Sequence, residues 1–239
     1  MARTAVIAGV GPGLGASLAR TFAAEGCRVA LFARSADYIE DLAAELPDPG
    51  EGLAVPTDLA EPDEIRAGFA DVREAFGPVD VLVNHASAAA WEGLLDLDVE
   101  GFERAWAVNG RGAFVASQEA VGDMLETGGG TVIFTGATSS VRSLGGAIGF
   151  TAAKFAARGM AMDMAQEFGP EGIHVAHVVI DGQIDEPGAR GMAPDRADET
   201  FLDPEEMAET YWHLVEQDTI DTMPFEVHIT NGPRNTEFI

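Results

Sequence analysis

Residues 4–15 read Thr4-Ala5-Val6-Ile7-Ala8-Gly9-Val10-Gly11-Pro12-Gly13-Leu14-Gly15, a run in which a short apolar segment leads directly into a glycine-rich turn. The apolar segment has the length of a buried strand, and a helical pattern follows the turn. Backbone N–H groups at the start of that helix, with no side chains in the way, would form an anion site that suits a pyrophosphate. The common G-x-G-x-x-G spacing is absent, and the same glycines could serve only as turn residues.

Short apolar runs alternate with longer helical patterns along most of the chain. The predicted strands are Thr4–Ala8, Arg28–Ala33, Gly52–Pro56, Val79–Asn84, Thr131–Thr135, Ile173–Ile180 and Phe225–Ile229. The predicted helices are Ala16–Glu25, Ala36–Leu46, Pro62–Phe76, Asp98–Leu125, Ile148–Phe168 and Pro204–Gln217. This order predicts an α/β fold with a doubly wound parallel sheet of the Rossmann type, as a single domain over residues 1–239.

One long segment, Asp181–Asp203, carries Gly, Pro, Met and Asp residues without a clear period. A segment of this length in a compact domain is usually a lid or a binding loop. We therefore predict that residues 181–203 form a substrate loop.

The composition is strongly acidic, with 40 Asp and Glu residues against 14 Lys and Arg residues and a formal net charge of −26. This charge disfavours nucleic acid and anionic membranes as partners, which leaves a small-molecule substrate. The hydrophobic share of 46% and the even spread of the acids indicate a folded, acidic surface. An acidic surface with a single lysine favours a halophilic, salt-adapted protein, although an ordinary acidic protein is the alternative.

Other features of the sequence limit where the protein can be located and which kinds of site it can contain. No uncharged apolar run approaches the roughly 18 residues that span a bilayer. The lone Cys27 has no partner for an internal disulfide, and no secretion signal precedes the first strand. We expect a soluble, cytoplasmic protein. No Cys/His cluster or Ca²⁺-loop pattern is present, so we expect no metal site.

The residues at the end of the second predicted strand indicate whether NAD or NADP would be preferred. It reads Leu31-Phe32-Ala33-Arg34-Ser35, without the acidic residue that would bind an NAD ribose and repel a 2′-phosphate. Arg34 could bind that phosphate and Ser35 could add a hydroxyl, although Asp37 weakens the case. The sequence therefore favours NADP over NAD.

Taken together, the motifs resemble those of the short-chain dehydrogenase/reductase family over essentially the whole chain. The matching residues are Gly9-x3-Gly13-x-Gly15, Asp58-Leu59, Asn84-His85-Ala86-Ser87, Asn109 and Lys154, the last standing where the Tyr-x-x-x-Lys lysine of the family stands. The resemblance implies that Lys154 holds the nicotinamide ribose and that Asn109 positions a water linked to Lys154. With the residues argued above, the remaining predicted cofactor contacts are Gly9, Gly11, Gly13, Leu14, Gly15, Arg34, Ser35, Asp58, Leu59, Asn84, Ala86 and Ile184.

The resemblance fails at the residues that move protons, which indicates a divergent branch of the family. Phe150 replaces the catalytic tyrosine, and a phenyl ring has no proton to donate. The catalytic serine position falls on Ala137, with Thr138, Ser139 and Ser140 as near substitutes. Neither Tyr38 nor Tyr211 is an obvious replacement, because they belong to the second and last predicted helices.

Three proton sources remain open for hydride transfer. Lys154 could be the acid, because desolvation beside Phe150 would lower its pKa. A water or a hydroxyl of Thr138, Ser139 or Ser140 could serve instead, or an iminium or strongly polarised double bond could accept hydride without an enzymic acid. The primary prediction is an NADP(H)-dependent oxidoreductase that reduces an activated carbonyl, imine or enone.

Two other functions stay open. The first is a catalytically silent NADP(H)-binding protein that acts as a sensor or oligomer partner, and the second is Schiff-base chemistry at Lys154. Small residues in the two long predicted helices allow close helix packing, and the resemblance implies that these helices pair subunits in a homodimer or homotetramer.

The charge of the chain leads to a prediction about salt. Raising KCl from 0.1 M to 1 M shortens the Debye length from about 10 Å to about 3 Å and so screens the self-repulsion of the acidic surface. We expect the melting temperature, followed by circular dichroism, to climb steadily over this range. A flat response would remove the salt-adapted interpretation.

Overall fold

The computed structural model describes residues 2–143, 145–217 and 222–231. Within these residues, seven strands pair in one parallel sheet and two very short strands pair in a second. The strands are β1 (Thr4–Ala8), β2 (Arg28–Ala33), β3 (Glu51–Pro56), β4 (Val81–Asn84), β5 (Gly130–Thr135), β6 (Ile173–Asp181), β7 (Gln183–Ile184), β8 (Phe201–Leu202) and β9 (Glu226–Thr230). The order of the large sheet is β3-β2-β1-β4-β5-β6-β9, and the small sheet pairs β7 with β8.

Helices connect the strands of the large sheet. They are α1 (Leu14–Ala24), α2 (Ala36–Ala44), α3 (Pro62–Phe76), α4 (Val99–Trp106), α5 (Ala113–Thr127), α6 (Ile148–Phe168), α7 (Pro187–Met192) and α8 (Pro204–Val215). A π-helical turn, Ala107–Gly112, joins α4 to α5, and short 3₁₀ turns lie at Thr138–Ser140, Gly169–Glu171 and Asp198–Thr200.

Apolar side chains cover both faces of the sheet. Neighbouring residues of a strand point to opposite faces, so Leu31 packs in the cluster with α1 and α8 whereas Phe32 packs with α3 and α5. Both side chains are fully buried. This two-sided burial explains why the central strands read as continuous apolar runs in the sequence.

The order of the strands determines where a ligand cleft can form. The chain moves outward from β1 to β3 on one side and then returns to β4 on the other, so the loops that follow β1 and β4 diverge. Such a switch point at the carboxyl ends of parallel strands is where ligands bind in this architecture. The register aligns Ala8 with Asn84 and Asn84 with Phe134, which brings the ends of three adjacent strands to one edge.

The predicted fold class, a single α/β domain with a doubly wound parallel sheet, is confirmed. More than half of the predicted boundaries match the structure, and the others differ from it by one or two residues. Helix α1 begins at Leu14 rather than Ala16, and β4 begins at Val81 rather than Val79.

The prediction of one uninterrupted helix over Asp98–Leu125 is wrong. The π-helical turn Ala107–Gly112 divides it, and Asn109 lies at the centre of that turn. The side-chain amide of Asn109 donates to the carbonyl oxygen of Ala105 at 2.9 Å, an acceptor that the backbone N–H of residue 109 would use in an α-helix. Side-chain competition of this kind is invisible to hydrophobic periodicity.

Segment 181–203 is also more ordered than the sequence indicates, because it contains β7, α7 and β8. These elements have two, six and two residues, which is too short for a periodic pattern. Polar contacts hold them together: Arg190 donates to both carboxylate oxygens of Asp185 at 2.7 Å, and its guanidinium lies 4.3 Å from the ring centre of Phe201.

The sheet core gives a stability prediction. Leu82 in β4 is fully buried whereas Leu95 is 95% exposed, so the same substitution can be compared in two environments. We expect Leu82→Ala to lower the free energy of unfolding by about 2–5 kcal/mol and Leu95→Ala to change it by less than about 0.5 kcal/mol. Urea unfolding measures both, and equal effects would contradict the buried placement of β4.

Candidate active site

A cleft of about 540 Å³ lies at the switch point, between the glycine-rich turn and the loop after β4. Of the predicted cofactor residues, it is lined by Gly9, Gly11, Gly13, Leu14, Gly15, Arg34, Ser35, Asp58, Leu59, Ala86 and Ile184. Lining residues that the sequence reasoning did not assign to the cofactor include Thr57, His85, Val108 and Glu186. His85 stands in the matched run Asn84-His85-Ala86-Ser87, and Glu186 lies two residues after Ile184; these positions are the sequence signals that point to them.

The glycine-rich turn is shaped for a close ligand. Gly9 has φ +109°, and a β-carbon there would lie 2.4 Å from the Cα of Ala86, so this position requires glycine. Gly13 precedes α1 and no side chain caps this helix, so no side chain takes up its first N–H groups. These features fit the diphosphate of a dinucleotide.

The far end of the cleft carries the residues predicted to select the cofactor. Arg34 and Ser35 are exposed, and the hydroxyl of Ser35 does not cap α2 although Ser35 precedes that helix. Asp58 accepts the N–H of Ala60 at 2.9 Å, so its carboxylate also fixes the loop after β3. The side chains of Arg34 and Ser35, at the end of β2, therefore remain available to a ligand.

A smaller cavity, about the size of one water molecule, adjoins this cleft and shares Leu59, Ala86 and Val108 with it. Three further predicted site residues, Asn84, Asn109 and Lys154, also line it. The amide nitrogen of Asn109 donates to the carbonyl of Ala88 at 2.8 Å, which aligns the loop after β4 with the π-helical turn. Its Oδ1 is buried and has no hydrogen-bond partner among the described residues.

Lys154 is only 3% exposed. Its ammonium donates to the carbonyl oxygen of Thr135 at 2.9 Å and lies 5.6 Å from the ring centre of Phe150. No carboxylate forms an ion pair with it in the described part of the chain. Burial therefore lowers the pKa of Lys154 from 10.5 to about 8, because the charged form loses hydration.

Phe150 itself is buried and packs against Trp91, with ring centres 5.0 Å apart. Trp91 is 68% exposed, so the aromatic pair extends from the amine of Lys154 to solvent. This arrangement gives the amine an apolar neighbour on the side where the family places a phenol.

The hydroxyls predicted as substitutes for the missing serine are differently engaged. Thr138 donates to Asp181 at 2.6 Å, and Asp181 is also held by Arg142 at 3.0 Å. Ser139 is buried in the same 3₁₀ turn. Thr138 therefore presents lone pairs rather than a proton to a ligand, because its proton is directed to a carboxylate.

Behind β5, a buried network contains groups that the sequence did not connect. Thr135 Oγ1 lies 2.9 Å from the hydroxyl of Tyr211 and 3.2 Å from Nδ1 of His85. Tyr211 is fully buried, which raises its pKa and separates it from solvent. Burial, together with the charge of Lys154, lowers the pKa of His85 to about 4, so this ring is neutral at pH 7.

A second network lies on the β6 side. His177 Nδ1 lies 3.0 Å from Oε2 of Glu226, and Arg158 donates to the same oxygen at 2.6 Å. Burial alone would raise the pKa of Glu226, but hydrogen bonds from Arg158, His177 and His228 lower it to about 2. This carboxylate is therefore a permanent anion that ties β6, α6 and β9 together.

Residues 2–143, 145–217 and 222–231 contain no group of three or more His, Cys, Asp or Glu side chains placed to hold a metal ion. None of the helices in these ranges has both the length and the apolar character needed to cross a bilayer.

Comparison with known proteins gives the same family as the motifs. A D-threitol dehydrogenase of Mycolicibacterium smegmatis is 30% identical over 174 residues, covering 72% of this chain and 67% of that protein. An NAD-dependent glycerol dehydrogenase of Listeria innocua is 29% identical over 173 residues, covering 72% and 67%. The structure of an alcohol dehydrogenase from the archaeon Thermococcus sibiricus, complexed with 5-hydroxy-NADP, superposes with a TM-score of 0.89 at 26% identity and covers all of both chains. The family model for short chain dehydrogenases matches residues 3–189, and the chain belongs to that family.

Proposed function

We propose that this chain is an NADP(H)-dependent oxidoreductase that reduces an activated carbonyl, imine or enone and uses Lys154 as its proton donor. The observation that carries the proposal is the buried ammonium of Lys154, which lies against Phe150 at the end of the dinucleotide cleft. Its lowered pKa of about 8 leaves most of the amine protonated at pH 7, yet makes it a far stronger acid than an ordinary lysine.

The proposed cofactor is NADP(H) rather than NAD(H). Named relatives include an NAD-dependent enzyme and a protein complexed with 5-hydroxy-NADP, so family membership alone does not decide between them. Arg34 and Ser35 stand at the end of β2, where a 2′-phosphate would gain charge-assisted hydrogen bonds. The glycine-rich turn would bind the diphosphate, and Lys154 would bind the nicotinamide ribose.

Once bound, a dihydronicotinamide would supply the hydride that reduces the substrate. Lys154 would then give one proton to the developing oxygen or nitrogen anion, and solvent would reprotonate the amine. Asn109 lines the same small cavity as Lys154 and has a buried Oδ1 without a partner among the described residues, and it would hold the water that returns this proton. The network of Thr135 keeps the strand end rigid, since Tyr211 anchors its side chain while its carbonyl positions the amine.

The shape of the site supports an activated substrate. Thr138 directs its proton to Asp181, so it can accept but not donate a hydrogen bond. The ring pair of Trp91 and Phe150 offers an apolar wall for the substrate. We further propose that residues 181–203 form the substrate loop, because Ile184 and Glu186 within it line the cleft.

We also propose that the chain assembles as a homodimer or homotetramer through α5 and α6. Several large apolar side chains of these helices are exposed, including Phe114, Leu125, Phe155 and Met162. A groove of about 270 Å³ lies between the two helices, lined in part by Val121, Met160 and Phe168. Exposed apolar residues on two neighbouring helices favour burial against another subunit.

The proposal predicts how turnover depends on pH and on Lys154. Oxidation of NADPH, followed at 340 nm with a panel of carbonyl, imine and enone compounds, should be constant below pH 8 and fall about tenfold per pH unit above it, because only the charged amine donates a proton. Lys154→Met should cost about 10²- to 10⁴-fold at pH 7 and remove this inflection.

Phe150→Tyr provides the companion variant, because it places a phenolic hydroxyl beside the same amine. We expect it to extend activity to simple ketones while the wild-type chain reduces only activated compounds. If the wild-type chain binds NADPH but oxidises none of the panel, the oxidoreductase proposal is wrong. The silent-binder alternative would then account for the family resemblance.

A further inference from the structure

Glu186 brings a carboxylate against the glycine-rich turn. A β-carbon placed on Gly13 would lie 2.8 Å from Oε2 of Glu186 and 3.0 Å from its Cβ, so the two residues are in direct contact. Glu186 also lines the dinucleotide cleft together with Gly11, Gly13 and Leu14. An acidic group therefore lies at the end of the cleft that is shaped for an anion.

The fold holds Glu186 in this position. It follows β7, whose pairing with β8 is extended by the N–H of Asp185 donating to the carbonyl of Leu202 at 2.8 Å. It directly precedes α7, which begins at Pro187. The carboxylate is thus carried by a segment fixed at both ends rather than by a free loop tip.

The protein leaves this charge uncompensated. Arg190, the cation of the same segment, forms ion pairs with Asp185 at 2.7 Å and with Asp198. Within residues 2–143, 145–217 and 222–231, no hydrogen bond or ion pair joins the Glu186 carboxylate to a donor. Glu186 is half-buried, and its carboxylate therefore lies beside the start of α1 without a protein cation to neutralise it.

The start of α1 is where the family fold and the open N–H groups place a diphosphate. A carboxylate and a diphosphate are both anions, and at contact distance they repel each other strongly in a partly desolvated cleft. Glu186 and a bound cofactor therefore compete for one region.

We propose that Glu186 occupies the diphosphate end of the cleft in the unliganded protein and sets cofactor affinity, because this carboxylate has to withdraw from Gly13 when a dinucleotide binds. The inference rests on the proposed binding of NADP(H). It gives the side chain of Glu186 a gating function at the diphosphate end of the cleft, while the segment that carries it stays in place.

Isothermal titration of NADP⁺ into the wild-type chain and into Glu186→Gln tests the inference. The amide has the shape of the carboxylate without its charge, so we expect about tenfold tighter binding at 0.1 M KCl. The gain should shrink at 1 M KCl, where screening weakens the repulsion. Binding of adenosine 2′-monophosphate, which lacks the diphosphate, should be the same for both proteins.

Glu74→Gln is the matched control, since Glu74 is exposed on α3 and the substitution changes the net charge equally. We expect it to change NADP⁺ affinity by less than about twofold. Glu186→Ala is the second variant if the glutamine form unfolds.

The outcomes separate this inference from the proposed function. Binding by Glu186→Gln where the wild-type chain binds weakly or not at all supports competition by the carboxylate. Equal or weaker binding by Glu186→Gln, with clear binding by the wild-type chain, overturns the inference alone. Absence of NADP⁺ binding in every variant overturns both.

Discussion

The buried amine of Lys154 is the constraint on which the site depends. Its side chain is 3% exposed, and its partner is a carbonyl rather than a carboxylate. Burying the charged form therefore costs free energy. The lowering of its pKa from 10.5 to about 8 corresponds to about 3 kcal/mol against the charged form relative to the neutral one. Because the folded pKa lies below the unfolded value, the folded state binds fewer protons between these values, and stability rises with pH through that window. A buried lysine that destabilises the fold at neutral pH is best explained by chemistry.

The rest of the structure holds that amine beside the cleft at the switch point. The parallel sheet places the end of β5, which carries Thr135, next to the end of β4. Helix α6 carries Lys154, which donates to the Thr135 carbonyl. The π-helical turn then places Asn109 at the same small cavity. At the opposite end, Glu186 contacts the glycine-rich turn. In the proposed function, the Lys154 amine supports cofactor binding and proton transfer, and the Glu186 carboxylate opposes binding.

Much of this could be predicted from the sequence, and the failures have physical reasons. Buried strands and the glycine-rich turn are local patterns, so the sheet and the cleft followed from them. The π-helical turn at Asn109 could not be predicted from such patterns, because it arises from a side chain that competes for a backbone acceptor. The placement of Glu186 against Gly13 joins residues far apart in the chain. The position of Tyr211 in the last predicted helix gives no sign of a place near the site, yet its hydroxyl lies in the network behind Thr135.

Direct titration of Lys154 tests the central claim. The chain has a single lysine, so protein labelled with ¹⁵N- and ¹³C-lysine gives one side-chain ammonium signal that needs no assignment. The account predicts that the chemical shifts of this lysine titrate with a midpoint of about 8 in the folded protein. They should return to the ordinary midpoint near 10.5 on unfolding in urea. A midpoint near 10.5 in the folded chain would show a hydrated amine and would contradict the account.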